Sequence, residues 1–532
     1  MLNTDDGARE RPEGKPDFTF LALAIFFVLA VVPLVLTPII PTIDFYNHIG
    51  RFFILANLNE FPVMKEEYRA SWSILPNIGL DAVGFVVLKW INPLIAAKFI
   101  SVLMFFSQYF GVLFFSRHLT GRYHWITGIL AIPLLYSYIF IWGFANFLFG
   151  LGLAFFAAGT WLALRRRLIL AALVGSVLAV AIFLAHGVAF ALYGLMIGGL
   201  ELGFFFQSHE RRLREAAKTL AALAVQAVAP AALFLHSATM TAAGGVTSAD
   251  ESVRRYSQGA ALWTRLQEIA LYRLQTIVRV AEGPTLWFDA ATFVLTLAVL
   301  FALLLQGRCS VPRVVRPVWA IGVLLIIIVP PALFGVGYVS DRMPLFFALL
   351  VVGSIQWRLR EDAFERTCLA ILVGLTVIRL SWISLDWRPY AKDFADFEAV
   401  AKDLPPFQVV GYVNVSLSHR VGPQRRCEMY GPLLVSLHNQ ASPLFASVTA
   451  QPLRQIGRLG QATRDMPKIE RLEGSAAEAV YSETLQVDAS RAKYDYVLVC
   501  DADRLTRPID HRLTVAARRG RFTLLRVAPA RL

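Results

Sequence analysis

The sequence predicts an all-α polytopic membrane domain of about eleven transmembrane helices followed by a small α/β domain on the outer side of the membrane. Three observations carry that expectation. The chain is 56% hydrophobic and only 17% charged, with a mean hydropathy of +0.55, which is too apolar for a soluble globule. From Phe18 to Ile383 apolar runs follow one another with short polar breaks, many near the roughly 20 residues that cross a hydrocarbon core. Residues 386–532 lose that character.

The first run, 18–40, is too long for a cleaved signal peptide and lacks its small-residue cleavage site, so it reads as a retained helix. The net charge of +13 does not point to nucleic acid, because Lys and Arg gather in short clusters between apolar runs. These clusters are at Arg9, Arg11 and Lys15; Arg117 and Arg122; Arg165, Arg166 and Arg167; Arg211, Arg212, Arg214 and Lys218; Arg308, Arg313 and Arg316; and Arg358, Arg360 and Arg366. The positive-inside rule puts all of them in the cytoplasm. That requirement excludes 75–91 as a span and leaves it a surface or re-entrant segment, a role that Asp81, Lys89, Pro76 and Asn92 suit. The expected spans are 18–40, 95–115, 125–141, 144–163, 168–185, 188–206, 218–236, 289–305, 317–337, 343–357 and 367–384.

This threading divides the chain into a cytoplasmic tail 1–17, a membrane domain 18–385 with outer loops 41–94 and 237–288, and an extracytoplasmic α/β domain 386–532. The expected location is the inner (plasma) membrane. The breaks assigned to the outer side, Trp142-Gly-Phe, Ala185-His-Gly and Tyr338 to Arg342, are almost free of Lys and Arg. Gly150, Gly152 and Gly159 in the fourth span allow close helix packing. In the second outer loop Trp263, Leu266, Ala270, Leu274 and Ile277 recur at helical spacing, with Arg265, Gln267, Glu268 and Arg273 elsewhere on the wheel. That pattern predicts a helix lying on the membrane interface.

In the outer domain the pattern predicts a helix over 394–404 and strands over 408–415, 494–500 and 522–527. Four cysteines are too few for a disulfide framework, but Cys427 and Cys500 both lie in this domain, where an oxidising compartment would let them pair.

The chemistry-bearing residues gather on the outer side. Asp44-Phe-Tyr-Asn-His48-Ile-Gly-Arg51 directly follows the first span. In a helix over 44–59, Asp44, His48 and Arg51 form one polar strip beside an apolar face of Phe45, Ile49, Phe52, Phe53 and Ala56. Such a helix would lie on the outer leaflet. Asp44 could serve as a proton acceptor or as a helix cap; His48 and Arg51 could bind phosphate, and Arg51 could equally snorkel. The threading brings Asn146, His186, Asp341 and Arg342 to the same side, where ionisable residues bordering spans are candidates for function. For His186 the alternative is a satisfied turn histidine, and for Asp341 and Arg342 a local ion pair. Asp289 reads as a boundary residue. In the tail His438 and the Asp501-Ala-Asp503 sequence hint at a metal or nucleotide-sugar site, but no Gly-rich phosphate loop accompanies them. No metal site is assigned and no cofactor is expected.

The plan resembles the GT-C superfamily of integral membrane glycosyltransferases: a first helix, an outer loop opening with an acid at Asp44, surface helices in that loop, about eleven spans and an outer carboxy-terminal domain. It also resembles a group of bacterial membrane proteins with Asp-x-x-x-His-x-x-Arg after the first span and Trp-Gly-Phe-x-Asn-Phe later, here Trp142 to Phe147. The resemblance implies transfer of a sugar from a polyprenyl-phosphate donor to a glycan or lipid acceptor on the outer face. Asp44 would be the catalytic base, with Arg51, His186 or Arg342 on the lipid phosphate. Many such enzymes carry two adjacent acids in the first loop, whereas Asp44 stands alone; the nearest acidic pair, Glu66-Glu67, reads as surface. A single acid gives a divalent metal no support. A lipid-linked glycan transporter or flippase, an acyltransferase using His186, and a non-catalytic polysaccharide-assembly protein are the alternatives.

Overall fold

The computed structural model of the protein describes residues 18–208, 213–237, 262–283, 285–333, 336–415, 426–444, 451–465, 493–504 and 511–528. The tail 1–17, Arg211 and Arg212, and residues 238–261 of the expected second outer loop lie outside the described residues, as do the side chains of Trp263, Arg265, Leu266 and Glu268.

The chain enters through α1 (Thr19–Leu36) and turns at Pro38 into α2 (Phe45–Asn57), α3 (Pro62–Glu67), strand β1 (Tyr68–Ala70) and α4 (Gly79–Val87). The long α5 (Pro93–Thr120) starts where Asn92 accepts a hydrogen bond from the Leu94 N–H, with Pro93 in the first turn, and stops at Gly121, whose φ of +95° suits a residue without Cβ. Next come α6 (Trp125–Leu135), α7 (Tyr138–Trp142), α8 (Ala145–Leu164), α9 (Leu168–Ala185), α10 (Gly187–Gln207) and α11 (Leu213–Leu235). Beyond residue 261 lie α12 (Leu262–Val278), α13 (Leu286–Leu305), α14 (Arg316–Ile328), α15 (Val339–Ser354) and α16 (Ala363–Trp387), with a short strand pair, β2 (Cys309–Ser310) and β3 (Gln356–Trp357).

Eight of these helices, α1, α5, α8, α9, α10, α11, α13 and α16, are long and apolar enough to cross a membrane, which makes this a multi-pass membrane protein. Two expected spans are shorter than the sequence suggests, and a third, α15, is itself below spanning length. The 125–141 run is split into α6 and α7, and α14 ends at Ile328, just before Pro330-Pro331, which cannot supply the next backbone donors. α15 has only 16 residues. The 75–91 segment holds α4, whose 9 residues are too few to span, as expected.

α5 and α8 make the closest helix pair, and glycine makes it possible. A Cβ on Gly152 would lie 2.3 Å from the Ser107 carbonyl carbon, one on Gly111 2.5 Å from the Gly152 carbonyl oxygen, and one on Gly159 2.5 Å from the Phe114 ring. The backbones approach because no side chain intervenes.

The C-terminal part holds α17 (Pro389–Ala401), β4 (Val410–Asn414), α18 (Tyr430–His438), β5 (Leu453–Gln455), α19 (Gly457–Asp465), β6 (Tyr496–Cys500), β7 (Leu513–Arg519) and β8 (Phe522–Val527). The three strands expected from sequence are present, and β7 escapes the sequence pattern because five of its seven residues are exposed and its apolar residues do not alternate with polar ones. The sheet order is β4-β6-β8-β7, with β4 parallel to β6 and the other pairs antiparallel. Phe397, Tyr430 and Phe522 stack under it with ring centroids 4.7–5.9 Å apart. Cys427 and Cys500 form a disulfide.

One expectation fails outright. α2 does not lie on the membrane surface: it packs against α4 and α5 on one side and α18 on the other, and all but Ala56 of its 13 residues are buried. The segment that follows it finds a partner 374 residues away in sequence, where the Tyr68 hydroxyl accepts from the Ser442 N–H at 3.0 Å and donates to the Ser442 carbonyl at 2.5 Å. β1 pairs with β5 beside that contact. An apolar stripe beside a polar strip here marks a helix buried between two layers.

Filling the α5–α8 contact should be costly. Gly152→Val should lower the melting temperature of the purified protein, by about 1–3 kcal/mol of stability or more; Gly198→Val, at a site with nothing within 4 Å of the added Cβ, should not. Thermal unfolding followed by tryptophan fluorescence in one detergent checks both.

Candidate functional site

The site is built where five helix ends meet beside the C-terminal domain. At its centre is the turn Trp142-Gly-Phe-Ala-Asn-Phe147 between α7 and α8. The Trp142 carbonyl accepts from the Asp44 N–H at 2.9 Å, and the Ile141 carbonyl from the Ile43 N–H at 3.0 Å. Gly143 has φ +84°, and a Cβ there would sit 2.3 Å from the Phe45 nitrogen. Only glycine permits both the turn and the contact. The early loop is thus docked backbone to backbone on a turn a hundred residues later.

Asp44 occupies the N-cap position of α2, but its side chain makes no capping hydrogen bond, so the capping role is not what holds it. Oδ2 lies 3.4 Å from His48 Nε2, while Oδ1 is buried with no hydrogen-bond partner. A buried carboxylate oxygen without a donor is costly and is what a proton acceptor awaiting substrate would present.

Arg51 is not free to bind an anion as the sequence suggested. Its Nε donates to Asp81 Oδ1 at 2.6 Å and its Nη2 to Asp81 Oδ2 at 3.0 Å; Nη2 also reaches His48 Nδ1 at 2.9 Å. Asp81 is fully buried, not a surface residue. Asn146 completes the group as a brace. Its Oδ1 accepts from the Leu80 N–H at 2.9 Å, and its Nδ2 reaches the Asn77 carbonyl at 3.1 Å and Asp81 Oδ2 at 3.4 Å. The residues before α4 are tied on the other side to the His186 turn, since Ile78 N–H donates to the Leu184 carbonyl and Gly187 N–H to the Pro76 carbonyl.

His186 is buried at the α9–α10 break. Its Nδ1 accepts from the Val188 N–H at 3.1 Å, which caps α10, and its ring meets Phe147 edge to face at 5.4 Å. The imidazole is within electrostatic reach of both Arg342 and His48. The satisfied-turn role is therefore present, and the ring still borders the site.

Asp341 and Arg342 do not pair with each other. As neighbours on α15 they point in different directions. Asp341 Oδ2 accepts from the Tyr272 hydroxyl of α12 at 2.9 Å. Arg342 is 4% exposed, has no ion pair among the described residues, and has Nε and Nη1 without partners. Its guanidinium carbon lies 4.7 Å from the Phe144 ring centroid and 5.2 Å from that of Phe147. Two aromatic faces offset part of the desolvation of this cation, and the open N–H groups remain available to an anion. α12 and the 3-10 turn Arg279–Ala281 that follows it roof this end: Arg273 donates to the Val329 carbonyl at 2.6 Å and Arg279 to the Tyr138 hydroxyl at 3.3 Å, while Leu274 and Ile277 stay exposed as expected of an interface helix.

The structure thus gathers Asp44, His48, Arg51, Asn146, His186 and Arg342, and places Asp341 beside them in a bond to Tyr272. Sequence reasoning missed Asp81 and the Phe144 and Phe147 rings. The signal for Asp81 was a lone acid in the apolar helix Gly79–Val87.

Several other acids prove structural. Glu67 is buried and accepts from Leu459 N–H at 2.8 Å and Arg458 Nε at 3.3 Å, docking α19. Asp289 stands at the helix boundary as read, in the first turn of α13, and is buried there: it accepts from the Gly283 and Thr285 N–H groups and pairs with Arg379 at 3.4 Å. In the C-terminal domain Asp501 accepts both arms of Arg521, at 2.7 and 2.6 Å. Burial opposes the charge on Arg521, but its hydrogen bonds to Asp501 and the charges of Asp501 and Asp393 raise its pKa above the usual arginine value. Asp503 bonds Arg518, and His438 sits 3.0 Å from Glu398. Among the described residues the three-ligand grouping is Cys427, Cys500 and Asp501, whose cysteines are joined to each other. These residues do not fit the metal reading.

Arg51→Ala should destabilise the protein by about 3–5 kcal/mol, because it strands the Asp81 carboxylate, and the double variant Arg51→Ala/Asp81→Ala should be more stable than either single variant. A denaturation cycle of wild type, both singles and the double measures the coupling.

No family model and no curated protein matches the chain. Among solved structures it is similar to the Archaeoglobus fulgidus oligosaccharyltransferase tethered by a disulfide to an acceptor peptide containing the NVT sequon, at 13% identity and a TM-score of 0.43 over 91% of this chain and 69% of that one. It is likewise similar to the apo form of that enzyme, at 13% identity and a TM-score of 0.40 over 91% and 70% of the two chains. At that overlap the likeness decides neither fold nor activity.

Proposed function

We propose that the protein is a membrane glycosyltransferase that moves a sugar from a polyprenyl-phosphate carrier to a glycan or lipid acceptor at the outer face of the inner membrane, within an eleven-pass GT-C-like architecture. One observation carries the reading. A carboxylate with an unpartnered buried oxygen, Asp44 Oδ1, and a buried guanidinium with unpartnered N–H groups, Arg342, border the same Trp142–Phe147 turn. Glycosyl transfer from a phosphate needs both: a proton acceptor and a group that receives developing negative charge. The GT-C-like plan of the sequence agrees with it.

In this reading the acceptor hydroxyl attacks the anomeric carbon as its proton passes to Asp44 Oδ1. The bond from that carbon to the phosphate oxygen breaks, and the electron pair leaves on the phosphate, held by Arg342. His186 faces the same space and helps enclose the phosphate. A single displacement inverts the anomeric centre. Arg51 and Asn146 bind no substrate here; they hold the geometry. Asp341 fixes α12 over the site through Tyr272. Asp81 and Glu67 are committed to protein donors.

Membranes containing Asp44→Asn should transfer no labelled sugar from polyprenyl-phosphate donor, a loss of at least about 100-fold, and Arg342→Gln should lose a comparable factor in kcat. Both should accumulate at wild-type level. Undiminished transfer by Asp44→Asn would remove the base from this scheme.

A further inference from the structure

Asp44 carries one oxygen in contact with His48 and one oxygen free, and the neighbours of His48 decide which is which. Arg51 Nη2 lies 2.9 Å from His48 Nδ1. A guanidinium nitrogen has protons to give and no lone pair to accept with. Nδ1 must therefore be the acceptor, and the proton of the neutral ring must sit on Nε2. That nitrogen faces Asp44 Oδ2 at 3.4 Å, a polar contact longer than an ordinary hydrogen bond, in a helix where both groups are one turn apart. Arg51 in turn has its direction fixed by two bonds to the fully buried Asp81. Asn146 and the Leu80 N–H fix Asp81's helix from a third side.

We infer that Asp81, Arg51 and His48 form a relay of positioning residues that selects the Nε2–H tautomer of His48 and so presents Asp44 Oδ1, and not Oδ2, to the acceptor hydroxyl. The inference rests on Asp44 being the base, but its structural half does not. The relay runs Asp81 carboxylate, Arg51 guanidinium, His48 imidazole, Asp44 carboxylate, each link a named atom pair. No proton travels along it. Arg51 stays charged, Asp81 stays its counter-ion, and His48 turns its Nε2 proton toward Asp44 Oδ2 without giving it up. The arrangement explains why Arg51 is buried with its charge fully spent, and why an acid sits alone in the apolar α4.

The test uses the full-length protein labelled with 15N-histidine in nanodiscs, with His48 resonances identified by their absence in His48→Gln. Wild type should show His48 as the Nε2–H tautomer, with Nδ1 unprotonated. Arg51→Met/Asp81→Asn, which removes the buried pair as a unit and leaves no stranded charge, should let His48 populate both tautomers. The same variant should lose about 10- to 100-fold in kcat with KM for the donor unchanged. Restoring Asp81 alone should not recover the single tautomer, since the donor to Nδ1 is Arg51. A wild-type His48 protonated on Nδ1, or a single Nε2–H tautomer surviving in the double variant, would overturn the relay. A clean tautomer result with no detectable transfer in wild type would leave the relay standing and remove the glycosyltransferase reading instead.

Discussion

The Arg51–Asp81 pair is the interaction on which the site depends. Burying two charges costs several kcal/mol each, and only close geometry with all remaining valences satisfied repays it. Here Asp81 meets three donors on Arg51 and Asn146, and the same Arg51 Nη2 that bonds Asp81 also reaches His48. The pair joins α2 to α4, and Asn146 joins both to α8. Three helices from the first third of the chain are thereby held in one register, with the Phe52 ring of α2 packed on Gly84 of α4 beside the pair. The His186 turn and the α15 start then close around a frame that is already set.

The second constraint is glycine. At Gly143 the absent Cβ lets two backbones touch, and at Gly152, Gly111 and Gly159 it lets two helices touch. Without the first contact Asp44 would not be anchored to the turn that carries the Arg342-facing rings. Without the others α5 and α8 would stand further apart, and the Asn146 end of α8 would move with them. Packing in the membrane and geometry at the site are thus set by the same device, used at different depths.

Much of this is legible in the sequence because membrane constraints are strong and periodic. Apolar runs locate the helices, and low-charge breaks locate Asn146, His186 and Arg342 near the Asp44 octapeptide. The misreadings share a physical cause. Asp81 reads as a surface residue because a single acid in a nine-residue apolar helix has no partner nearby in sequence; its partner lies 30 residues away. α2 reads as an interface helix because the spacing of its apolar residues defines one face and cannot say whether a second protein layer covers the other. Asp289 stands at its helix start as read, but its burial and its pairing stay hidden for the same reason as with Asp81, its cation Arg379 being on a helix far along the chain. Period and composition show which groups must be satisfied, while long-range pairing decides by what.

The Tyr68–Ser442 contact has a consequence for biosynthesis. Its two residues are separated by 374 positions, so at about 5–20 residues per second a ribosome takes roughly 20–75 s to supply the second after the first. Through that interval α2 and its apolar stripe have left α1 but have no C-terminal layer to bury them. The nascent chain must keep this segment shielded by lipid, by α4 and α5, or by the insertion machinery until the final third arrives. Site assembly is therefore among the last events of synthesis, although its leading acid is among the first residues made.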